Sequence, residues 1–269
     1  MSMSPQDGSR PTVVLVHGAF ADASSWAGVV ERLQAGGIRV TAPANPLRGI
    51  SIDSAYIASF FDQIPGPVLA VGHSYGSAVI TNAAANADNV GGLVYIAAFA
   101  PDEGERLADI ESTSKDSVLN AALVPFQYPT GRGAETAVEF AIDPAKFHDA
   151  FAADLPGEQT AVMAATQRPV AELAFSEPSG VPAWKNLPSW AVVPTGDKAA
   201  GSDVVRSMAE RAGATITEIE GSHVIMISQP QVVADAILTA VAAAPGRRDN
   251  AVSGKDDVET LVCVVASPG

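Results

Sequence analysis

The 269-residue chain has a single cysteine, Cys263. One thiol can close no intramolecular disulfide and build no cysteine metal cluster. That fits a reducing compartment, and a cytoplasmic location is the expectation. Long apolar runs are also missing. No stretch approaches the roughly 18 uncharged apolar residues of a membrane-spanning helix. Met1 to Pro11 has no apolar core, so no signal peptide is expected there. Basic residues are scarce: 16 Lys and Arg stand against 30 Asp and Glu, a net charge of −14. A phosphate backbone or an anionic membrane surface needs a basic face, so neither nucleic acid nor membrane is an expected partner. Anionic small molecules are disfavoured too, unless a local cation compensates. Metal-ligand runs of the H-E-x-x-H kind are absent, so no metal site is expected. Gly (23) and Pro (19) follow no period, which excludes collagen-like order.

What is present is a globular core: 47% of residues are hydrophobic. Short β-branched runs alternate with helical patterns. Thr12–Val16, Ile38–Ala42, Pro67–Val71, Gly92–Ala98, Trp190–Val193 and Ala214–Ile219 read as strands. Residues 24–36, with Ser24 or Ser25 able to cap, and 52–61, 77–85, 204–212 and 232–243 read as helices. Strands alternating with helices imply parallel βαβ units with helices on both faces. Residues 12–100 and 189–245 are therefore expected to form one α/β core. The block 101–188 breaks the rhythm. It carries more charge, several prolines and no strong strand, but it has helical patches around Phe147–Phe151–Leu155 and Ala161–Met163–Ala164. It reads as a helical insertion over the sheet. Residues 1–11 read as a loose lead-in. Residues 246–269 form a tail in which Glu259–Ala266 is either an edge strand or loose chain.

One segment concentrates chemistry. Gly72-His73-Ser74-Tyr75-Gly76 lies between the strand ending at Val71 and the helix beginning at Ser77. A G-x-S-x-G turn there forces a tight strand-to-helix bend that lifts the serine hydroxyl clear of the sheet at a helix N-terminus, where developing negative charge is favoured. A serine hydroxyl is a weak nucleophile and needs a base. Of the four histidines, His17 ends the first strand, His73 lies inside the turn and His148 lies in the insertion. His223, in Gly221-Ser222-His223, follows the last strand, and strand C-termini of a parallel sheet share one edge with Ser74. The base in turn needs a carboxylate to fix its tautomer. Asp197, after the strand 190–193, is the candidate, and Asp102, after the strand 92–98, is its rival. Two backbone N–H groups must hold an oxyanion. Tyr75 follows the nucleophile and supplies one. Ala19, in the His17-Gly18-Ala19-Phe20 turn after the first strand, supplies the other.

With these residues in this order the chain resembles the α/β-hydrolases, from about Val13 to about Ala243. The likeness is nearest to small bacterial serine esterase-like proteins related to plant methylesterases and hydroxynitrile lyases, through Val16-His-Gly-Ala19 and Gly221-Ser-His-Val-Ile-Met226. The resemblance implies a mostly parallel sheet of about six strands flanked by helices, a helical lid over roughly 101–188, and no cofactor. Three departures stand out. The two leading strands of larger members are missing, Gly76-Ser77 replaces the common Gly-Gly, and the tail from Gly246 matches no pattern of the family.

The fold hosts many chemistries, so the residues must choose among them. Relatives that open epoxides or cleave carbon–halogen bonds use an aspartate nucleophile, which Ser74 argues against. The related lyases carry a lysine directly after the base histidine, where this chain has Val224. The expectation is a serine esterase acting on a small carboxylic ester: Ser74 as nucleophile, His223 as base, Asp197 as acid. Phe20, Phe147, Phe151, Met163, Trp184 and Met226 are candidate pocket walls or, equally, core. A lactonase or a cofactor-free perhydrolase or haloperoxidase would use the same triad. A non-catalytic ligand-binding receptor would keep the fold and the pocket. Oligomeric state is not legible in the residues.

Overall fold

The computed structural model describes residues 10–244. Most of the lead-in, the whole tail and Cys263 lie outside the described residues. The central sheet contains β1 (Thr12–Val16), β2 (Val40–Thr41), β3 (Val68–His73), β4 (Val90–Ile96), β8 (Ser189–Pro194) and β9 (Thr215–Ile219). Their order is β2-β1-β3-β4-β8-β9, and every pairing is parallel. The six strands are those the β-branched runs mark, within two residues at either end.

The central strands are apolar because both of their faces are covered. Each residue of β1, β3 and β8 is buried, as expected of a parallel sheet with helices on either side. The helices Ala27–Ala35, Ile50–Asp62, Tyr75–Ala83, Ser202–Arg211 and Pro230–Ala243 provide that cover. The first of them is preceded by a 3-10 turn, Ala23–Trp26. Its cap is Asp22, whose carboxylate accepts from Ser24 N at 2.7 Å. Neither Ser24 nor Ser25 serves as the cap.

From β1 the chain crosses to β2 on one side and then to β3 on the other. The direction of winding thus reverses between β1 and β3. In open α/β sheets the crevice at such a reversal, outside the carboxyl ends of the strands, is where ligands bind. The turn after β1 and the turn after β3 both open into it.

The insertion between β4 and β8 is mixed. Its helices Pro144–Phe151 and Gly157–Thr166 cover the two helical patches. It also holds a three-stranded antiparallel sheet of β5 (Leu123–Pro129), β6 (Thr136–Ile142) and β7 (Val170–Ala171), where the sequence pattern shows no strong strand. Two prolines, Pro125 and Pro129, disguise β5. It is an edge strand of this small sheet, the position where a missing N–H is tolerated.

Candidate active site

The bend after β3 is sterically enforced. Ser74 has φ 51° and ψ −123°, a left-handed backbone that a non-glycine residue adopts only when its surroundings impose it. The glycines on either side allow the close approach. A Cβ on Gly72 would stand 2.5 Å from Ser77 Cα, and one on Gly76 would stand 2.5 Å from the Val16 carbonyl oxygen and 2.6 Å from that of His17. Gly18 is equally confined, since a Cβ there would meet Ser74 Cβ at 2.9 Å. The turn after β1 and the turn after β3 therefore press on each other at the reversal point. Ser74 stands at the N-terminus of the helix Tyr75–Ala83 and keeps some solvent access.

His223 lies beyond β9, and its Nδ1 is 2.8 Å from Asp197 Oδ2, with both side chains buried. The other carboxylate oxygen of Asp197 accepts from the backbone N–H groups of Ala199 and Ala200 at 2.9 and 3.0 Å. This fixes the carboxylate, and through it the His223 ring. The rival Asp102 is elsewhere: it pairs with Lys185 at 2.5 Å, which holds its carboxyl below the usual range.

His73 ties Ser74 to His223. Burial pushes its pKa well down, with the neighbouring His223 adding to the effect, so the ring is neutral. Its Nε2 is 3.0 Å from the His223 carbonyl oxygen, which can only accept, so Nε2 carries the proton. The two rings lie 4.7 Å apart.

The two residues expected to supply oxyanion donors lie on different turns, Ala19 after β1 and Tyr75 after Ser74. Ala19 and Phe20 form the buried turn after β1, and Phe20 takes φ 60°. The Tyr75 side chain is buried, and its hydroxyl donates to Asp53 Oδ2 at 2.7 Å. Asp53 is fully buried. Burial raises its pKa, opposed by the Tyr75 hydroxyl and by backbone N–H groups, among them that of Arg48. Tyr75 itself is raised well above its ordinary value, by burial and then by the Asp53 charge.

The expected pocket residues divide. Phe151 packs on the His223 ring at 5.1 Å, on Phe20 at 6.1 Å and on Phe147 at 5.1 Å. A cavity of about 490 Å³ is walled by Phe20, Met163, Val162, Val224 and Ile227 and touches Asp22. A second cavity, about 350 Å³, is walled by Phe99, Leu119, Leu123, Phe140 and Phe175, and Phe175 packs on Tyr75 at 6.2 Å. Met226 is fully buried. Trp184 stands apart from this group. Its indole donates to the Pro101 carbonyl and lies under Lys185 and Arg211, in the neighbourhood of Asp102. Sequence reasoning missed Asn45, Asp53 and Asp154. Asp154, from the insertion, accepts from both Ser222 N, at 3.0 Å, and Ser222 Oγ, one residue before His223. No local pattern marks a polar residue that acts across the fold.

Residues 13–236 match the sequence pattern described as "Alpha/beta hydrolase family". The chain belongs to that family. No curated protein matches the sequence of this α/β-hydrolase. Among solved structures it is similar to polyneuridine aldehyde esterase, with 21% identity, a TM-score of 0.71, and coverage of 86% of this chain and 98% of that one. It is similar to a pyrethroid hydrolase from Sphingobium faniae JZ-2, with 20% identity, a TM-score of 0.69, and 87% and 98% covered. It is also similar to tomato methylketone synthase I, with 21% identity, a TM-score of 0.71, and 87% and 98% covered. At these identities the likeness is one of fold. Among the described residues no helix is long and apolar enough to cross a membrane.

Proposed function

We propose that this α/β-hydrolase is a serine esterase that cleaves small carboxylic esters through an acyl-enzyme. The carrying observation is the buried 2.8 Å contact of His223 Nδ1 with Asp197 Oδ2, on the sheet edge that also presents Ser74 in its forced bend. Asp197 accepts from Nδ1–H, which leaves Nε2 of His223 as the basic nitrogen. Ser74 Oγ attacks the acyl carbon as Nε2 takes its proton. The N–H groups of Ala19 and Tyr75 hold the oxyanion. The imidazolium then protonates the leaving alcohol, and the same nitrogen later draws a proton from the water that frees the acid. The larger of the two cavities is lined by Phe20, next to Ala19, and by Val224, next to His223; its acidic residue Asp22, and Glu111 and Glu172 in the smaller one, favour uncharged acyl and alcohol groups over anionic ones. The esterase and hydrolase among the similar structures agree with this reading.

The test is hydrolysis of a p-nitrophenyl ester series, from acetyl to longer chains, by the protein and by Ser74→Ala. Turnover that disappears in the folded variant supports the reading. Turnover that survives removes Ser74 from the mechanism.

A further inference from the structure

Arg168 belongs to the insertion and lies just past the helix Gly157–Thr166. In an acidic protein this half-buried guanidinium pairs with no carboxylate among the described residues. Its Nη1 donates instead to the Asn45 carbonyl oxygen at 3.1 Å and lies 3.4 Å from His17 Nε2. Asn45 is fully buried, in the loop after β2, and grips His17 twice. Its backbone N–H donates to His17 Nε2 at 2.9 Å, and its Nδ2 donates to the His17 carbonyl at 3.0 Å.

This fixes the state of the His17 ring. Nε2 accepts, so the proton of the neutral ring is on Nδ1, which is 2.9 Å from the Gly18 carbonyl oxygen. Burial first, and then Arg168, lower the His17 pKa to about 4, opposed by the hydrogen bond to the Gly18 carbonyl and then by the Asp22 charge, so the ring stays neutral over the ordinary range. The Gly18 carbonyl shares a planar trans peptide with Ala19 N–H, and the two groups point in opposite directions. To hold that carbonyl is to aim that N–H.

We propose that Arg168 is a positioning residue for the Ala19 oxyanion donor, acting through Asn45 and His17, so that the oxyanion site is complete only when the insertion is seated on the core. The inference rests on the esterase reading. An oxyanion donor contributes only once charge develops on the carbonyl oxygen, so its misplacement lowers kcat rather than raising KM.

The experiment compares Arg168→Gln, Arg168→Lys, Asn45→Ala and the double variant Arg168→Gln/Asn45→Ala on one neutral p-nitrophenyl ester, with kcat, KM and Tm measured for each. The expected result for Arg168→Gln is a fall in kcat of about tenfold to a hundredfold with KM and Tm near those of the parent. Lysine should restore part of the rate, and the double variant should be no slower than the worse single one, as for members of one chain. An unchanged kcat in Arg168→Gln overturns the proposal. So does a loss carried by KM or Tm, or losses that multiply in the double variant. Should Asn45→Ala fail to fold, the half-exposed Arg168 variants decide alone. Activity surviving Ser74→Ala would overturn the esterase reading and this inference with it, whereas a silent Arg168→Gln beside a dead Ser74→Ala would overturn only this one.

Discussion

The Nε2–H of His73 donates to the main-chain carbonyl of His223 at 3.0 Å, so the residue before the proposed nucleophile holds the backbone of the proposed base. In His73→Leu that carbonyl is left buried and unpaired, a cost of about 1–3 kcal/mol. We expect a lower urea midpoint and a kcat that falls more than KM changes. A variant as stable and as fast as the parent would show that the His223 loop is held by Asp154 and Asp197 alone.

Asp197→Asn should lower kcat on the order of a thousandfold or more, because an amide that presents N–H to His223 forces the wrong tautomer. Asp102→Asn should stay within a few-fold of the parent, since its carboxylate meets half-exposed Lys185 and the Glu103 backbone N–H and an amide oxygen can still accept from both. Steady-state rates on one ester separate the two, and the reverse ranking would move the acid to Asp102.

Gly76→Ala would put a methyl group 2.5 Å from the Val16 carbonyl oxygen, backbone against backbone, where no rotamer gives relief. The expected cost is about 1–3 kcal/mol, with loss of activity as β1 and the bend separate. Urea unfolding monitored by tryptophan fluorescence tests this, and an unchanged midpoint would mean that the two turns are not locked together.

Stability should fall in mild acid. Burial holds His17 down to about 4 and His73 well below its ordinary value, so both are neutral when folded. The unfolded chain takes up these protons near pH ~6.5, so stability rises with pH across the interval between the folded and unfolded values. The contribution is full above about pH 6.5 and is lost as pH falls towards about 4; for His17 it is on the order of 3 kcal/mol. Urea midpoints at pH 7.5 and 5.0 measure it. Equal midpoints would mean that neither ring is buried neutral.

Much of this was legible in the residues. The strands of the core are continuous apolar runs because both sheet faces are covered, and the bend at Ser74 announces itself through Gly72 and Gly76. The insertion was harder to read. Its strand Leu123–Pro129 is half-exposed, contains two prolines and gains its structure from pairing with Thr136–Ile142, a relation that no window on either segment contains. Asn45, Asp53 and Arg168 were illegible for the same reason. Each is an ordinary polar residue until the fold sets it against His17 or Tyr75. Asp22 displaced the serines as the cap because the chain enters a 3-10 turn first, one position earlier than the helical spacing suggests.

The hydrogen bond from His73 to His223 spans 150 residues of chain. Ser74 directly follows β3, near the middle of the sheet, while His223 follows β9 at its far edge, and the whole insertion is threaded between them. Contacts of such long range form late in folding, after the loops between them have been closed. A refolding chain could therefore recover its helices and most of its sheet while Ser74 still stands apart from its proposed base. Return of hydrolytic rate would then lag behind return of helical circular dichroism and mark the moment at which β8 and β9 join the sheet.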